Sequence, residues 1–208
     1  MRERGSEVLF VALDVESATV QHHICQIGLA WFTANGLSHV WKSEINPEVR
    51  FDGMSHYVHG LSGRDVETAP TFPEISQQLA QLLDGSLIVT HSNYDLTALQ
   101  KTAGRYGMRL PELRWLDSCE VAKQMWPTLE NHSLPAVATH LGIPITQHHN
   151  ALDDAIVAGE ILMRARNAGF EIDERTGRVA SLETTNAEPR TPDWVLKPDE
   201  PPSESLWA

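Results

Sequence analysis

Three consecutive β-rich segments open the chain and constrain its fold more than any other feature. They span residues 8–16, 23–33 and 37–45, and only short connections join them. The tripeptide Ala-Asn-Gly at 34–36 is typical of a hairpin turn. Because strands joined by such short turns pair antiparallel, we predict that the sheet begins as an antiparallel meander.

After the meander, helical and strand patterns alternate up to about residue 170. Thr71 and Glu74 have capping-box spacing with a proline in the first turn, which predicts a helix from residue 72. Further predicted helices cover 94–105, 118–125, a segment from Ser133 to Gly142, and 151–168; predicted strands cover 86–90 and 113–116. This order predicts an α/β fold with a mixed sheet flanked by helices.

The composition changes near residue 170. Residues 171–208 contain five prolines, nine acidic residues and four basic ones, with little apolar periodicity. Such a composition favours a disordered or loosely packed tail behind a domain of residues 1–170. Trp194 and Trp207 in this tail either anchor it to a partner, fold it back on the domain, or are incidental.

Composition also narrows the class of protein. The formal net charge of −12 argues against broad, charge-driven coating of nucleic acid. No apolar run is long enough for a membrane span, and the charged N-terminus lacks the pattern of a signal peptide. Cys25 and Cys119 are too few for a disulfide framework. We therefore expect a cytoplasmic protein with no membrane contact.

Two carboxylates stand at the end of the first predicted strand. Residues i and i+2 of a strand point to the same face, so Asp14 and Glu16 share a face with Phe10 and Ala12. Like charges this close need a shared cation, a proton or exposure to water. The pair indicates either a ligand site or a strand end at which both acids are solvated.

The other candidate ligand and catalytic residues stand at the starts of predicted helices. Asp95 follows the strand at 86–90, a favourable place for ligands in α/β sheets, although an acid there also complements the helix dipole. In the segment 148–154, Asn150 is a candidate N-cap and Asp153 its partner, which leaves Asp154 and His149 unexplained. A histidine at the positive end of a helix dipole stays neutral, as a general base requires.

Together, four acids and one histidine on three segments indicate a two-metal hydrolase. Two divalent ions need several carboxylates to balance their charge and fix their positions. Oxygen ligands select hard ions, so we expect two divalent cations, Mg²⁺ or Mn²⁺.

The same residues fall in motifs that resemble the DEDDh branch of the DnaQ-like 3′–5′ exonucleases, the family of bacterial polymerase proofreading subunits, RNase T and exonuclease X. Asp14-Val15-Glu16 matches D-x-E, Tyr94-Asp95 matches the aromatic-Asp ending of the second motif, and residues 149–154 match H-x-A-x-x-D. The segment 46–72 is similar to the family's N-P…H-G-I…A-P-T-F stretch. The resemblance covers about residues 7–168.

This resemblance implies a ribonuclease-H-like fold with a mixed five-stranded sheet, whose first three strands are antiparallel, flanked by helices. It implies that His149 is the general base and that His59 and Leu61 lie against the 3′-terminal nucleotide. The metal ligands it implies are Asp14, Glu16, Asp95 and Asp154. We therefore expect a metal-dependent 3′–5′ exonuclease that releases nucleoside 5′-monophosphates from single-stranded ends, with DNA favoured over RNA.

The chain departs from the family pattern at two places. Ser17-Ala18-Thr19 stands where the family commonly has T-T-G, at the backbone amides that meet the terminal 3′-hydroxyl. His91 occupies the position of an asparagine in the second motif. For other nucleic-acid contacts, we expect only a modest local patch drawn from Lys42, Arg50, Arg64, Lys101 and Arg105.

Two other functions remain open from the sequence. One is a catalytically weak, nuclease-like interaction module that the tail tethers to a polymerase or repair complex. The other is an RNA-processing exoribonuclease, which would engage the 2′-hydroxyl. Both monomers and homodimers occur in the resembling family, so the oligomeric state stays open.

Overall fold

A mixed sheet of six strands forms the centre of the fold. The computed structural model describes residues 7–108, 110, 113–173 and 176–180. In these residues the sheet order is β3-β2-β1-β4-β5-β6. The strands are β1 (Val8–Ser17), β2 (Ile24–Thr33), β3 (Gly36–Glu44), β4 (Leu87–Thr90), β5 (Leu113–Asp117) and β6 (Arg178–Ala180).

The pairing of these strands confirms the predicted ribonuclease-H-like sheet. β1, β2 and β3 pair antiparallel, while β4 lies parallel to β1 and β5 lies parallel to β4. The short β6 adds a sixth strand, antiparallel to β5 at the edge of the sheet. Because β1 and β4 are parallel neighbours, their carboxyl ends meet at one edge, and the segments that follow them are brought together.

Six helices lie among the described residues: α1 (Gly53–His59), α2 (Phe72–Leu83), α3 (Tyr94–Arg105), α4 (Ser118–Met125), α5 (Leu134–Leu141) and α6 (Ala151–Asn167). The predicted capping box at Thr71 and Glu74 is present at the start of α2. The Asp117 carboxylate accepts a hydrogen bond from the Cys119 N–H and so caps α4. None of these helices is both long and apolar enough to span a membrane.

The two faces of the sheet have separate cores. On one face, Val11, Leu13 and Val15 of β1 are buried against a cluster that includes Leu79 of α2 and Leu99 of α3. On the other face, Phe10 and Ala12 are buried in a cluster with residues of α4 and α6, and Phe10 stacks on Phe32 with ring centroids 5.0 Å apart. The face that carries Asp14 and Glu16 is therefore the face that α6 covers.

The structure continues past the predicted domain boundary at residue 170. Phe170 and Ile172 pack against the α6 side of the core, and residues 178–180 form β6. The remaining part of the predicted tail, residues 181–208 with Trp194 and Trp207, lies outside the described residues. The boundary and the character of the tail therefore stay predictions.

Candidate active site

Carboxylates from two distant parts of the chain meet at the carboxyl end of β1. Oxygen atoms of Asp14, Glu16 and Asp154 all lie within 4.8 Å of one another. They face a cavity of about 480 Å³ that Asp95 and His149 also line. The five side chains predicted to carry out the chemistry therefore share one cavity, although Asp95 is not part of the tight carboxylate group.

Strand β2 explains how Asp154 reaches the acids of β1. Gly28 lies directly opposite Asp14 across the β1–β2 pair. Because Gly28 has no side chain, the first turn of α6 rests on its backbone, and a Cβ there would lie 2.3 Å from the carbonyl carbon of Ala151. The Asn150 side chain caps the same helix end by accepting hydrogen bonds from the N–H groups of Leu152 and Asp153. Asp154 is thereby held on the face of Asp14.

Asp95 reaches the site from the start of α3. Its Oδ1 accepts a hydrogen bond of 3.1 Å from the Val15 N–H, and its side chain is buried. This bond ties α3 to β1 between Asp14 and Glu16. The carboxylate of Asp95 therefore faces the other acids from the neighbouring strand end.

Burial and mutual repulsion make the acids hard to ionise together. Burial, followed by repulsion from Asp95, Glu16 and Asp154, raises the pKa of Asp14 well above its ordinary value. The same two effects raise the pKa of Glu16 to about 8. Burial, with repulsion from Asp117 and Asp154, raises the pKa of Asp95 to about 7, although the Val15 N–H lowers it. Such a cluster fits cations that neutralise its negative charge.

These raised pKa values predict that the metal-free protein loses stability between about pH 6.5 and pH 8. The unfolded chain releases the Glu16 proton near pH 4.5, whereas the folded chain keeps it to about pH 8, so the folded state becomes less favoured as pH rises. Histidines with lowered pKa, such as His149, act in the opposite direction, but only below about pH 6.5.

Thermal unfolding in EDTA at stepped pH measures this effect. We expect the Tm to fall by several degrees, because about 1 kcal/mol moves the Tm of a protein of this size by about 2–4 °C. Mn²⁺ should raise the Tm more at pH 8 than at pH 6.5, and Glu16→Gln should flatten the pH dependence. A metal-free Tm that rises or stays constant across this range would contradict the prediction.

His149 enters the site with an unusual backbone. Its φ is 65°, in the left-handed region, and its N–H donates a hydrogen bond of 2.9 Å to Asp154 Oδ2. Burial, followed by repulsion from the neighbouring His148, lowers the pKa of its imidazole, although Asp154 raises it. The ring is therefore neutral near pH 7 and able to accept a proton.

His148 contacts the site directly. Its ring stacks on that of His149 with centroids 3.8 Å apart, and its Nδ1 lies 3.0 Å from both carboxylate oxygens of Asp154. Both histidines and Asp154 offer ligand atoms within 4.8 Å of one another. From the sequence, His148 was either an aid to phosphate binding or a solvent-exposed bystander; in the structure it is a partner of Asp154.

The predicted substrate-binding residues occupy different surroundings. Ser17 and His59 line the cavity, whereas Ala18 and Leu61 are not among the described residues that do. The Ala18 N–H donates to the His23 carbonyl at 2.7 Å and so already has a partner within the protein. The Ser17 hydroxyl is buried without a hydrogen-bond partner of normal geometry among the described residues, although it lies close enough to the Tyr94 side chain to offset part of the rise that burial causes in the pKa of Tyr94.

His59 is fixed as a neutral ring by its contacts. Its Nδ1 accepts from the Leu61 N–H at 3.0 Å, so its Nε2 must carry the proton and donate to the Ser17 carbonyl at 3.1 Å. Burial lowers the pKa of this imidazole. His59 therefore shapes the turn after α1 and holds the end of β1.

His91 lines the cavity, but both its ring nitrogens bind protein groups. Nε2 lies 2.9 Å from the His132 carbonyl, and Nδ1 lies 2.8 Å from the Ser118 hydroxyl. Burial lowers the pKa of the ring. His91 thus joins the loop after β4 to the start of α4 and to the segment before α5, and its contact with substrate stays a prediction.

The rim of the cavity carries a group of exposed apolar and aromatic side chains that sequence reasoning did not identify. They are Val20, Met54, Val58 and Tyr94. Met54, which is 66% exposed, and Val58 belong to α1, a helix that the sequence analysis did not predict. The i, i+4 spacing of these two residues could have indicated a helix. However, α1 has only seven residues, which is too short for a sustained helical pattern.

The cations predicted for nucleic-acid contact have separate surroundings. Arg105 donates to the backbone carbonyls of Gln21 and His22 and therefore supports the loop before β2. Lys42 forms an ion pair of 3.1 Å with Glu44. Arg50 and Arg64 line a second cavity beside α1. Lys101 lies close enough to His22 to lower its pKa by repulsion, after the effect of burial.

Comparison with known protein families identifies the family of this chain. The family model RNase_T, whose description is Exonuclease, matches residues 10–162. The chain belongs to this exonuclease family. The predicted membership in the DEDDh, DnaQ-like 3′–5′ exonucleases is confirmed, and the match includes the whole span from Asp14 to Asp154.

Two curated relatives of this exonuclease domain are bacterial proteins. The 3′-5′ exonuclease DinG of Bacillus subtilis is 28% identical over 159 residues, which cover 74% of this chain and 17% of that protein. The DNA polymerase III PolC-type of Caldanaerobacter subterraneus subsp. tengcongensis is 23% identical over 166 residues, which cover 78% of this chain and 12% of that protein. The chain thus spans less than a fifth of the length of either relative.

Two solved structures share the fold of the exonuclease domain. The nuclease domain of 3′hExo, a DEDDh family member bound to rAMP, has a TM-score of 0.71 at 15% identity and covers 83% of this chain and 96% of that one. Exonuclease X in complex with 5′ overhanging duplex DNA has a TM-score of 0.65 at 16% identity, and the match covers 78% of this chain and 95% of that one. At this identity the likeness shows the fold alone.

Proposed function

We propose that the protein is a metal-dependent 3′–5′ exonuclease that hydrolyses phosphodiester bonds at the 3′ end of single-stranded nucleic acid and releases nucleoside 5′-monophosphates. The observation that carries this proposal is the convergence of Asp14, Glu16 and Asp154 at one end of a cavity. DNA is the favoured substrate. Membership of the exonuclease family supports the reaction class.

The donor set fits two divalent cations of the hard class, Mg²⁺ or Mn²⁺. All of the grouped oxygens belong to carboxylates, and burial together with mutual repulsion raises the pKa of Asp14 and of Glu16, which bound cations would offset. The residues that would hold the cations are Asp14, Glu16, Asp95 and Asp154. When bound, such ions stabilise negative charge on the phosphate and lower the pKa of an attacking water.

His149 is the proposed general base. Its imidazole is neutral near pH 7 and lines the same cavity as the carboxylates, and its backbone N–H is bound to Asp154. A neutral ring beside the scissile phosphate takes the proton of the attacking water. The Asp154 carboxylate, which lies within 4.8 Å of a ring nitrogen of each histidine, stabilises the positive charge that His149 then carries.

The rim of the cavity suits the end of a flexible strand. Val20, Met54, Val58 and Tyr94 offer apolar surface to the terminal base, which stacks or packs without sequence preference. Ser17 lines the cavity beside the carboxylates, where the terminal sugar would lie. The substrate is thus held mainly at its end, which agrees with a protein whose net charge is −12.

Hydrolysis of labelled oligonucleotides tests the proposed function. The full chain is incubated with 5′-labelled single-stranded DNA and RNA of equal length in Mn²⁺ or Mg²⁺. We expect products that shorten from the 3′ end, no product in EDTA, and faster hydrolysis of DNA. Products shortened from the 5′ end, or no hydrolysis of either polymer in either metal, would contradict the proposal.

The variant His149→Asn tests the general base. Asparagine tolerates a left-handed backbone better than most residues, so the N–H bond to Asp154 is kept while the base is lost. We expect the rate of hydrolysis to fall about 10²- to 10⁴-fold. The Mn²⁺ affinity should stay within about threefold of the wild type, which is a smaller change than the loss of one hydrogen bond causes. The same substitution at His39, exposed on β3, is the control and should leave the rate unchanged. Equal rates for both variants would exclude His149 as the base.

A partner protein is proposed only in general terms. A relative of this domain is a DNA polymerase III protein, and the acidic, proline-rich segment 171–208 is suited to attaching the domain to a larger complex. A pull-down of polymerase or repair proteins that depends on residues 181–208 would support this attachment.

A further inference from the structure

Gln26 is a buried polar residue in the middle of an apolar strand. Its side chain is 2% exposed, and both neighbours in β2, Cys25 and Ile27, are fully buried. A buried amide destabilises a fold unless all of its hydrogen-bonding groups are paired. The contacts of Gln26 therefore indicate why an amide stands at this position.

Both ends of the Gln26 amide have partners. Its Oε1 accepts a buried hydrogen bond of 2.8 Å from the N–H of Ala151, which is 125 residues away at the first position of α6. Its Nε2 donates to Glu44 Oε1 at 3.3 Å, and the same oxygen pairs with Lys42 Nζ at 3.1 Å. Because a backbone N–H only donates and a carboxylate only accepts, these partners fix which way the amide points.

The register of the sheet connects this amide with the carboxylates. Gln26 lies directly opposite Glu16, and Gly28 lies opposite Asp14. Strand β2 thus contacts the start of α6 twice, through the amide of Gln26 and through the bare backbone of Gly28 beneath Ala151. Three residues beyond Ala151, Asp154 joins the acids of β1.

We propose that Gln26 is a positioning residue that sets the distance between the carboxylates of β1 and Asp154 of α6, with Glu44 and Lys42 holding its amide in the required orientation. The inference rests on the proposed function, because it assigns the carboxylates to cation binding. Gln26 itself contacts neither substrate nor cation. It acts through the main chain of Ala151, as an outer residue that orients a ligand.

A purely structural role and a positioning role predict different results. Any loss of a buried hydrogen bond lowers stability, and α6 also carries buried residues far from the site, such as Leu162. Only the positioning role predicts a loss of cation affinity that exceeds the loss produced by destabilising α6 elsewhere. Leu162→Ala is therefore the matched control.

Mn²⁺ binding to the full chain, measured by calorimetry without nucleic acid, tests the proposal. Gln26→Met keeps the length of the side chain but leaves the Ala151 N–H unpaired, and we expect its Mn²⁺ affinity to fall about 10- to 100-fold. Gln26→Glu keeps the acceptor for Ala151 and should retain more affinity than Gln26→Met. Leu162→Ala should unfold at lower urea concentration yet bind Mn²⁺ like the wild type.

Glu44→Ala covers the case in which Gln26→Met does not fold. It frees the amide without touching α6, and we expect an affinity loss of about threefold to tenfold, as for one hydrogen bond. Wild-type affinity in Gln26→Met or, if that variant is unfolded, in Glu44→Ala would overturn the proposal. So would an equal loss in Leu162→Ala, or a wild-type protein that binds no Mn²⁺. If Mn²⁺ binds as expected but no nucleic acid is hydrolysed, only the proposed function fails.

Discussion

Replacing Asp14 with asparagine is expected to abolish hydrolysis of nucleic acid without destabilising the metal-free protein at pH 8. Asp14 is close to Glu16 and Asp154 at the centre of the carboxylate group. Cation charge at the phosphate supplies several kcal/mol, and each 1.4 kcal/mol is about tenfold in rate, so we expect a loss of about 10³-fold or more.

The expected stability follows from the pKa of Asp14, which burial and three neighbouring acids raise. An acid with a raised pKa destabilises the folded state once the pH exceeds the unfolded value, so a neutral amide of the same shape removes that cost. Initial rates on labelled single-stranded DNA and Tm values in EDTA measure the two effects.

Asp84→Asn is the control for Asp14→Asn, because Asp84 is exposed and precedes β4 at the opposite end of that strand. It should change neither the rate nor the Tm. A rate for Asp14→Asn within tenfold of the wild type would exclude Asp14 from the reaction.

The second large effect is expected for Gly28→Ala. A Cβ at this position would lie 2.3 Å from the backbone nitrogen of Leu152 and 2.4 Å from the carbonyl oxygen of Ala151, so no side-chain rotation relieves the clash. The start of α6 must move away from β2. We expect the free energy of unfolding to fall by about 1–3 kcal/mol. We also expect the rate of hydrolysis to fall about 10²-fold, because a 1 Å displacement of catalytic groups lowers the rate by about that factor.

Urea unfolding and oligonucleotide hydrolysis measure the two losses. Gly63→Ala makes the same chemical change where a Cβ meets nothing within 4 Å, and it should leave both quantities near those of the wild type. The prediction fails if Gly28→Ala hydrolyses DNA at the wild-type rate.

Much of this fold could be predicted because local patterns agree with the final packing. The β-rich run at residues 8–16 predicted the first strand, and β1 covers Val8–Ser17. A helix was predicted at 118–125, and the side chain of Asp117, directly before it, caps its start. The capping side chain acts within three residues, so a single sequence contains the whole interaction.

Helix α1 was not predicted because its local pattern is weak. It has seven residues, too few for a sustained apolar period, and Asp52 supports its start by accepting from the Ser55 N–H. His59 at its end is held by the Ser17 carbonyl, which is distant in sequence. Tertiary contacts of this kind stabilise short helices and leave little trace in the sequence.

The contacts of Gln26 and Gly28 with α6 could not be predicted from the sequence for a related reason. A lone polar residue and a glycine inside an apolar strand are recognisable signals, since such a glycine often marks a close approach of another backbone. Their partner, Ala151, is 125 residues from Gln26. One sequence indicates that something approaches β2 but does not identify which segment it is.

The carboxylate group is divided between the beginning and the end of the domain, and this has a consequence for biosynthesis. A ribosome completes Asp14 and Glu16 long before Asp154, and α6 must dock on β2 before the group closes. On the proposed roles, a nascent chain or a proteolytic fragment that stops before α6 is unable to degrade nucleic acid. Nuclease activity therefore begins only after translation has passed residue 154 and the helix has docked.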